Sequence, residues 1–295
     1  MSKRKNLRIL RNPKPQTELK VIVAQQAGVC YGVRRALELV NSELEKGRKL
    51  ATLGPLIHNP QVVQRLEEKG ARVIHCIDEA DNDAIVVPSH GVAIEIREAA
   101  EKAGLRIVDA TCPFVAKVHK IAKRLVDCGY QVVVVGDPGH SEVKGILSAA
   151  GEDAIVINSI EDLERYDWSA KKVGVVSQTT QTPERFGEIV GRIASQAAEV
   201  VAHNTICYAT HDRQSAARNL APNVDAMFVV GGRNSANTNR LAEICRETGV
   251  PTHHIETADE IDPETVRNYS VVGLTAGAST PDWIIEEVKA KLEAI

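Results

Sequence analysis

Three cysteines sit where short apolar runs give way to helical periodicity, and each is followed 28 residues later by a second turn with a polar tip: Cys30 by His58, Cys112 by His140, Cys207 by Ser235. A third junction closes each set, at His90, Thr179 and Ser279. Three equal offsets at comparable turns argue for a triplicated unit. The segments between these turns agree. "AIVVPSHG" leads to "VAIEIREAAEKAG", "LRIVDATC" to "PFVAKVHKIAKRLVD", "QVVVVGDPGHSE" to "VKGILSAAG", and "DAMFVVGGRNSANT" to "NRLAEICRETG". Short strands alternating with amphipathic helices imply parallel sheets built from βαβ units. The expected fold is α/β: three similar domains with mainly parallel sheets around a pseudo-threefold axis, the cysteine turns meeting at the centre. The expected boundaries are a basic tail at 1–20, a first domain at 31–111, a second at 112–206, and a third at 207–295 that includes the strand at 21–30. No Pro/Gly/Ser-rich linker separates them.

Composition narrows the function. Aromatic residues make up 3% of the chain and the net charge is −3. Stacking platforms for nucleic acid are therefore unexpected, and no global charge favours a polyanion. Residues 1–20 are the exception: Lys3, Arg4, Lys5, Arg8, Arg11, Lys14 and Lys20 against Glu18 give +6. Such a run is ordinarily a solvated tail. No apolar h-region and no 18-residue apolar span is visible, so a cytoplasmic, membrane-free protein is expected. Six cysteines, widely spaced in a long chain without a secretion signal, read as reduced thiols rather than a disulfide framework.

Cys112 lies before Pro113, which suits the first helical position because its missing N–H is not needed there. Its sulfur then sits at the positive end of a helix, which favours thiolate, the metal-binding form. Cys30 and Cys207 occupy like positions. Three thiolates from three domains suit a 4Fe-4S cluster with one iron lacking a protein ligand. Zinc with an open position is the rival metal, and three structural cysteines are the bland alternative. Cys76, Cys128 and Cys245 fall outside the repeat and read as packing residues. His75, His119, His203, His211, His253 and His254 read as surface or packing residues.

In sheets of this kind ligands bind beyond the carboxyl ends of the strands. The tips there carry His58, Ser89, His90, His140, Thr179, Ser235, Asn237 and Ser279. Imidazoles, hydroxyls, an amide and helix N-termini together make an anion site suited to a phosphate or diphosphate. Helix capping explains each Ser or Asn taken alone. Glu142 shares a tip with His140 and is either a proton donor or a first-turn carboxylate favoured by the helix dipole.

The motifs resemble the LytB family, the 4-hydroxy-3-methylbut-2-enyl diphosphate reductases. Nine segments carry the resemblance in family order from about residue 21 to 290, among them "GVCYGVRRAL", "IHNPQVVQRLEEKG", "DATCPFVAKVH", "GHSEVKG", "SQTTQT" and "VVGGRNSANTNRLAEIC". The resemblance implies one oxygen-sensitive 4Fe-4S cluster on Cys30, Cys112 and Cys207, with an open apical iron. It implies diphosphate binding by His58, His90, His140, Ser235, Asn237 and Ser279, proton donation by Glu142, and Thr179 near the substrate hydroxyl. It implies a two-electron reductive dehydroxylation to isopentenyl and dimethylallyl diphosphates, the last step of the methylerythritol phosphate route. Ferredoxin or flavodoxin would supply the electrons. The sequence departs from the usual family pattern at Val29, Tyr31, Asp137 and Ala236. At Ala236 a hydroxyl is lost, leaving the backbone N–H beside Ser235 and Asn237 to hold the anion. Two other readings stay open: a related triplicated iron-sulfur enzyme acting on another anion, and a non-catalytic redox sensor.

Overall fold

The computed structural model describes residues 18–81 and 83–295. The basic tail at 1–20 therefore lies outside the described residues, except for its last three.

Twelve strands form three four-stranded sheets, and every pairing between them is parallel. The first sheet has the order β3-β2-β4-β5, with β2 Leu50–Leu53, β3 Ala71–Ile74, β4 Ala84–Val87 and β5 Ile107–Asp109. The second has the order β7-β6-β8-β9, with β6 Gln131–Val135, β7 Ile155–Ile157, β8 Lys172–Ser177 and β9 Glu199–Ala202. The third has the order β1-β12-β10-β11, with β1 Lys20–Val23, β10 Ala226–Val230, β11 Thr252–Ile255 and β12 Val271–Ala276. The shared order is the triplication expected from the cysteine spacing. The inner strands β2, β4 and β10 are buried along their whole length, as parallel sheets covered on both faces require.

Three helices follow the cysteines: α1 (Tyr31–Glu45), α4 (Pro113–Asp127) and α8 (Tyr208–Leu220). Each leaves one sheet and packs on the next. After β1 in the third sheet, α1 buries Val33, Ala36 and Val40 against Leu50, Val86 and Val108 of the first. After β5, α4 buries Val118, Ala122 and Leu125 against Val132, Val134 and Val176 of the second. After β9, α8 places Ala217 with Met227 and Val229 of the third. The chain thus closes on itself in a ring of three handovers, with a cysteine at each. Between them run α2 (Pro60–Glu68), α3 (Ile94–Lys102), α5 (Ser141–Ala150), α6 (Ile160–Leu163), α7 (Pro183–Ala194), α9 (Ala236–Glu247), α10 (Pro263–Val266) and α11 (Asp282–Glu293).

β7 and β11 carry no sequence signal of the kind that marks the other strands, and β3 shows only as the apolar run before Cys76. They run three or four residues at sheet edges, and β11 reads "THHI". Two of the three cysteines expected to pack in the interior do not. Cys76 is exposed and caps a short turn with Glu79, and Cys128 is exposed at the end of α4, where Gly129 stops the helix. Neither lies on an inward-facing position of its element. Cys245 is buried, and burial pushes its thiol up to about 11.

Candidate functional site

Cys30, Cys112 and Cys207 are the N-cap residues of α1, α4 and α8, all with extended backbone. Each is tied to the neighbouring strand end by the same bond. The Cys30 N–H donates to Ala278 O (3.0 Å), that of Cys112 to Ser89 O (2.9 Å), and that of Cys207 to Thr179 O (3.0 Å). This register makes Thr180, rather than Thr179, the counterpart of His90 and Ser279. The Thr180 hydroxyl is buried without a partner, and sequence spacing did not single it out, because the loops before this third junction differ in length.

Gly32 opens the space between two of the thiols. A Cβ there would stand 2.5 Å from Cys112 Sγ and 4.0 Å from Cys30 Sγ. Burial raises the Cys112 and Cys207 thiols, helix N–H groups lower them, and neighbouring thiols raise them again. Among the described residues, no three His, Cys, Asp or Glu side chains are grouped as ligands of a single ion.

The thiols line a cavity of about 110 Å³. His58, His90, His140, Glu142, Thr179, Ser235, Ala236, Asn237 and Ser279 line it too, so every residue nominated from sequence reaches one place. His58 and His90 stack with ring centroids 4.7 Å apart, and His140 meets His58 edge-on at 5.0 Å. Burial lowers all three. His58 falls to about 4, with His140 adding to the effect, while Asp137 partly offsets the drop at His140. Burial thus disfavours the cationic form that sequence left open.

Capping and function coexist here. The His140 ring accepts from Glu142 N–H at Nδ1 (3.1 Å), which places the ring proton on Nε2, an atom buried without a partner. Ser235 Oγ accepts from Thr238 N–H, so it caps α9. His58 does not cap α2; Asn59 does. Ser279 donates to the His58 carbonyl (3.1 Å), and Ser141 Oγ lies 3.4 Å from His58 Nε2. Asn237 is 4% exposed and both its side-chain polar atoms are unpartnered. Unpaired buried polar atoms are costly. Their convergence, with His58 Nδ1 and His90 Nδ1 also free, marks a cavity shaped to hydrogen-bond a polar ligand.

Glu142 is 3% exposed. Thr179 N–H donates to its Oε1 (2.7 Å) and Thr179 Oγ1 to its Oε2 (2.9 Å). Burial raises its pKa to about 7, against the two Thr179 bonds and with a smaller push from Asp137. A carboxyl poised near neutrality is suited to give or take a proton.

Other buried polar residues hold this frame and have no periodicity that reveals them. Gln178 Oε1 accepts from Asp137 N–H (2.9 Å), fixing the turn before His140. Arg240 of α9 pairs with Glu243 and lies 3.4 Å from both Asp137 and Gln181, joining the second and third sheets behind the site. His119 is half-buried between Gly91 and Gly145 and is a packing residue.

A triplicated parallel α/β fold whose three cysteine turns and polar loops meet in one buried cavity defines an α/β protein with a central thiol-and-anion site. A family model described as LytB protein matches residues 21–293, and the chain belongs to that family. It is 49% identical over 278 residues to the 4-hydroxy-3-methylbut-2-enyl diphosphate reductase of Pelobacter propionicus, covering 94% of this chain and 99% of the relative. A solved (E)-4-hydroxy-3-methyl-but-2-enyl diphosphate reductase, described as the terminal enzyme of the non-mevalonate pathway, is 44% identical. It covers 94% of this chain and all of its own, with a TM-score of 0.67. The Plasmodium falciparum reductase is 28% identical over 93% of this chain and 88% of its own, with a TM-score of 0.87. Among the described residues, no helix is long and apolar enough to cross a membrane.

Proposed function

We propose that the chain reduces 4-hydroxy-3-methylbut-2-enyl diphosphate to isopentenyl and dimethylallyl diphosphates. The observation that carries this reading is the convergence of three thiols, three imidazoles and a near-neutral carboxyl on one cavity. The reaction takes up two electrons and two protons, breaks the allylic C–O bond, and releases the hydroxyl as water.

Cys30, Cys112 and Cys207 would hold one 4Fe-4S cluster. A cluster takes its thiolates on separate irons, which suits three cysteines that line one cavity, two of them on either side of Gly32. When bound, the cluster supplies the electrons and a Lewis-acidic iron for the substrate oxygen. The electrons originate outside the chain, from a donor of the ferredoxin or flavodoxin kind.

The chain's own residues bind, orient and protonate. His58, His90 and His140, with Ser235, Asn237, Ser279 and the Ala236 N–H at the start of α9, take the diphosphate. Fixing it holds the allylic carbons in one place, a positioning effect. The Glu142 carboxyl gives a proton to the departing oxygen, either directly or through the Thr179 hydroxyl it contacts.

The test is anaerobic. The protein is reconstituted with iron and sulfide, given a reduced viologen, and mixed with the allylic diphosphate. Viologen oxidation that depends on substrate and yields five-carbon diphosphates is the expected result. An intact cluster with no turnover overturns the reading.

A further inference from the structure

We infer that Arg213 is the fixed counter-charge of the three-thiol centre, a positioning residue that sets the reduction potential of the group held there. The inference rests on the cluster reading above. Arg213 lies on α8, six residues after Cys207, and is 4% exposed. Its guanidinium donates to Ala209 O (2.7 Å) within its own helix and to Gly28 O (2.6 Å), two residues before Cys30. It therefore bridges the helix of one cysteine and the approach to another.

The unusual feature is what Arg213 lacks. Among the described residues no carboxylate forms an ion pair with it, and its Nε is buried without a partner. Arg240, the other buried arginine at the centre, pairs with Glu243 and Asp137. An unpaired buried cation is expensive, and removing the partner of a buried charge is strongly destabilising. Both of its hydrogen bonds land two residues from a cysteine, at Ala209 after Cys207 and at Gly28 before Cys30. Burial opposes its charge, and the groups that favour it include Cys30 and Cys207. The anion it faces is thus the thiol centre.

Arg35 provides the contrast. It makes the matching bridge, donating from α1 to Thr111 O (3.1 Å) before Cys112, but it is only half-buried. Both arginines staple a cysteine turn, and of the two only Arg213 is buried. Three thiolates around a cluster carry net negative charge that grows on reduction. A fixed cation nearby favours the reduced form.

The experiment is a redox titration of the reconstituted full chain, followed by EPR, for wild type, Arg213→Gln, Arg213→Lys and Arg35→Gln. Arg213→Gln is expected to lower the reduced fraction about tenfold at a fixed poise, a downward shift of about 59 mV for a one-electron couple. Arg213→Lys keeps the charge and stays close to wild type, as does Arg35→Gln. Cluster loss in Arg213→Gln with retention in Arg213→Lys also supports the inference. It is overturned if Arg213→Gln titrates as wild type does, or if both Arg213 variants shift or fail alike. A wild-type chain that takes up no cluster overturns the functional reading instead, and is recognised before any variant is compared.

Discussion

Thr179 donates to both oxygens of Glu142, through its N–H at 2.7 Å and its hydroxyl at 2.9 Å, while its carbonyl accepts the N–H of Cys207. One residue thus joins the buried carboxyl to a cysteine turn. With Glu142 as the proposed proton donor, Glu142→Gln is expected to cut turnover by ~10²–10⁴. The amide keeps the shape and still accepts from the Thr179 N–H. Iron content and substrate affinity should therefore stay near wild type, and a parallel fall in iron would show that the residue supports the fold instead. A redox sensor, the rival function class, would be indifferent to this substitution.

The same carboxyl fixes a pH dependence. Its pKa is raised from 4.5 to about 7, so the acid form is present below neutrality and kcat is expected to fall as pH rises through about 7. Thr179→Val removes a bond that favours the carboxylate, so the falling limb moves to higher pH. Asp137→Asn removes a charge that disfavours the carboxylate, so the limb moves to lower pH. Opposite displacements in kcat profiles are the diagnostic result, and shifts in one direction would assign the limb to another group.

Stability follows from the linkage. A raised folded-state pKa means that the native state binds more protons between pH 4.5 and about 7, so the stability it contributes is present below 4.5 and lost as pH rises through 7. At pH 8 Glu142→Gln is expected to gain about 3 kcal/mol, and at pH 4 nothing. Denaturant titration of the cluster-free protein at the two pH values checks this. An equal effect at both would place the gain in packing.

The nine strand–helix junctions, three of them cysteine turns, were legible in sequence because apolar strands, helical periodicity and polar tips coincide there. The edge strands β7 and β11 were not, since "IVI" and "THHI" are too short to establish a period. Glu142 and Thr179 could be named separately, but their contact spans 37 residues and two loops. Arg213 and Arg240 look like ordinary polar-face residues of α8 and α9. Only the handover of each helix to the next sheet buries them. What periodicity cannot show is which polar face the ring of domains covers.

The histidine cluster makes a claim about binding. Burial holds His58 at about 4, and His90 and His140 below their usual range. A diphosphate in their midst favours the imidazolium, so its binding is expected to take up protons. Affinity should then weaken with rising pH, by about tenfold per unit for each proton taken up. Calorimetry in buffers of different ionisation enthalpy measures the uptake, and binding heats independent of buffer would mean that the rings bind as neutral donors. The free protein carries the converse signature. A depressed folded-state pKa contributes stability that is present above 6.5 and lost as pH falls toward about 4.

Gly32 tests the thiol arrangement directly. A Cβ at this position would lie 2.5 Å from Cys112 Sγ, closer than any non-bonded pair tolerates, and α1 is anchored by buried Val33 and Ala36 on the first sheet. The helix cannot retreat cheaply, so the thiol must turn away. Gly32→Ala is therefore expected to cost ~1–3 kcal/mol through overpacking and to leave the chain folded but with most of its iron lost after reconstitution. Iron and sulfide assays with the visible spectrum report the loss, and circular dichroism separates it from unfolding. Full cluster content in Gly32→Ala would show that Cys112 has another rotamer from which it still reaches the centre.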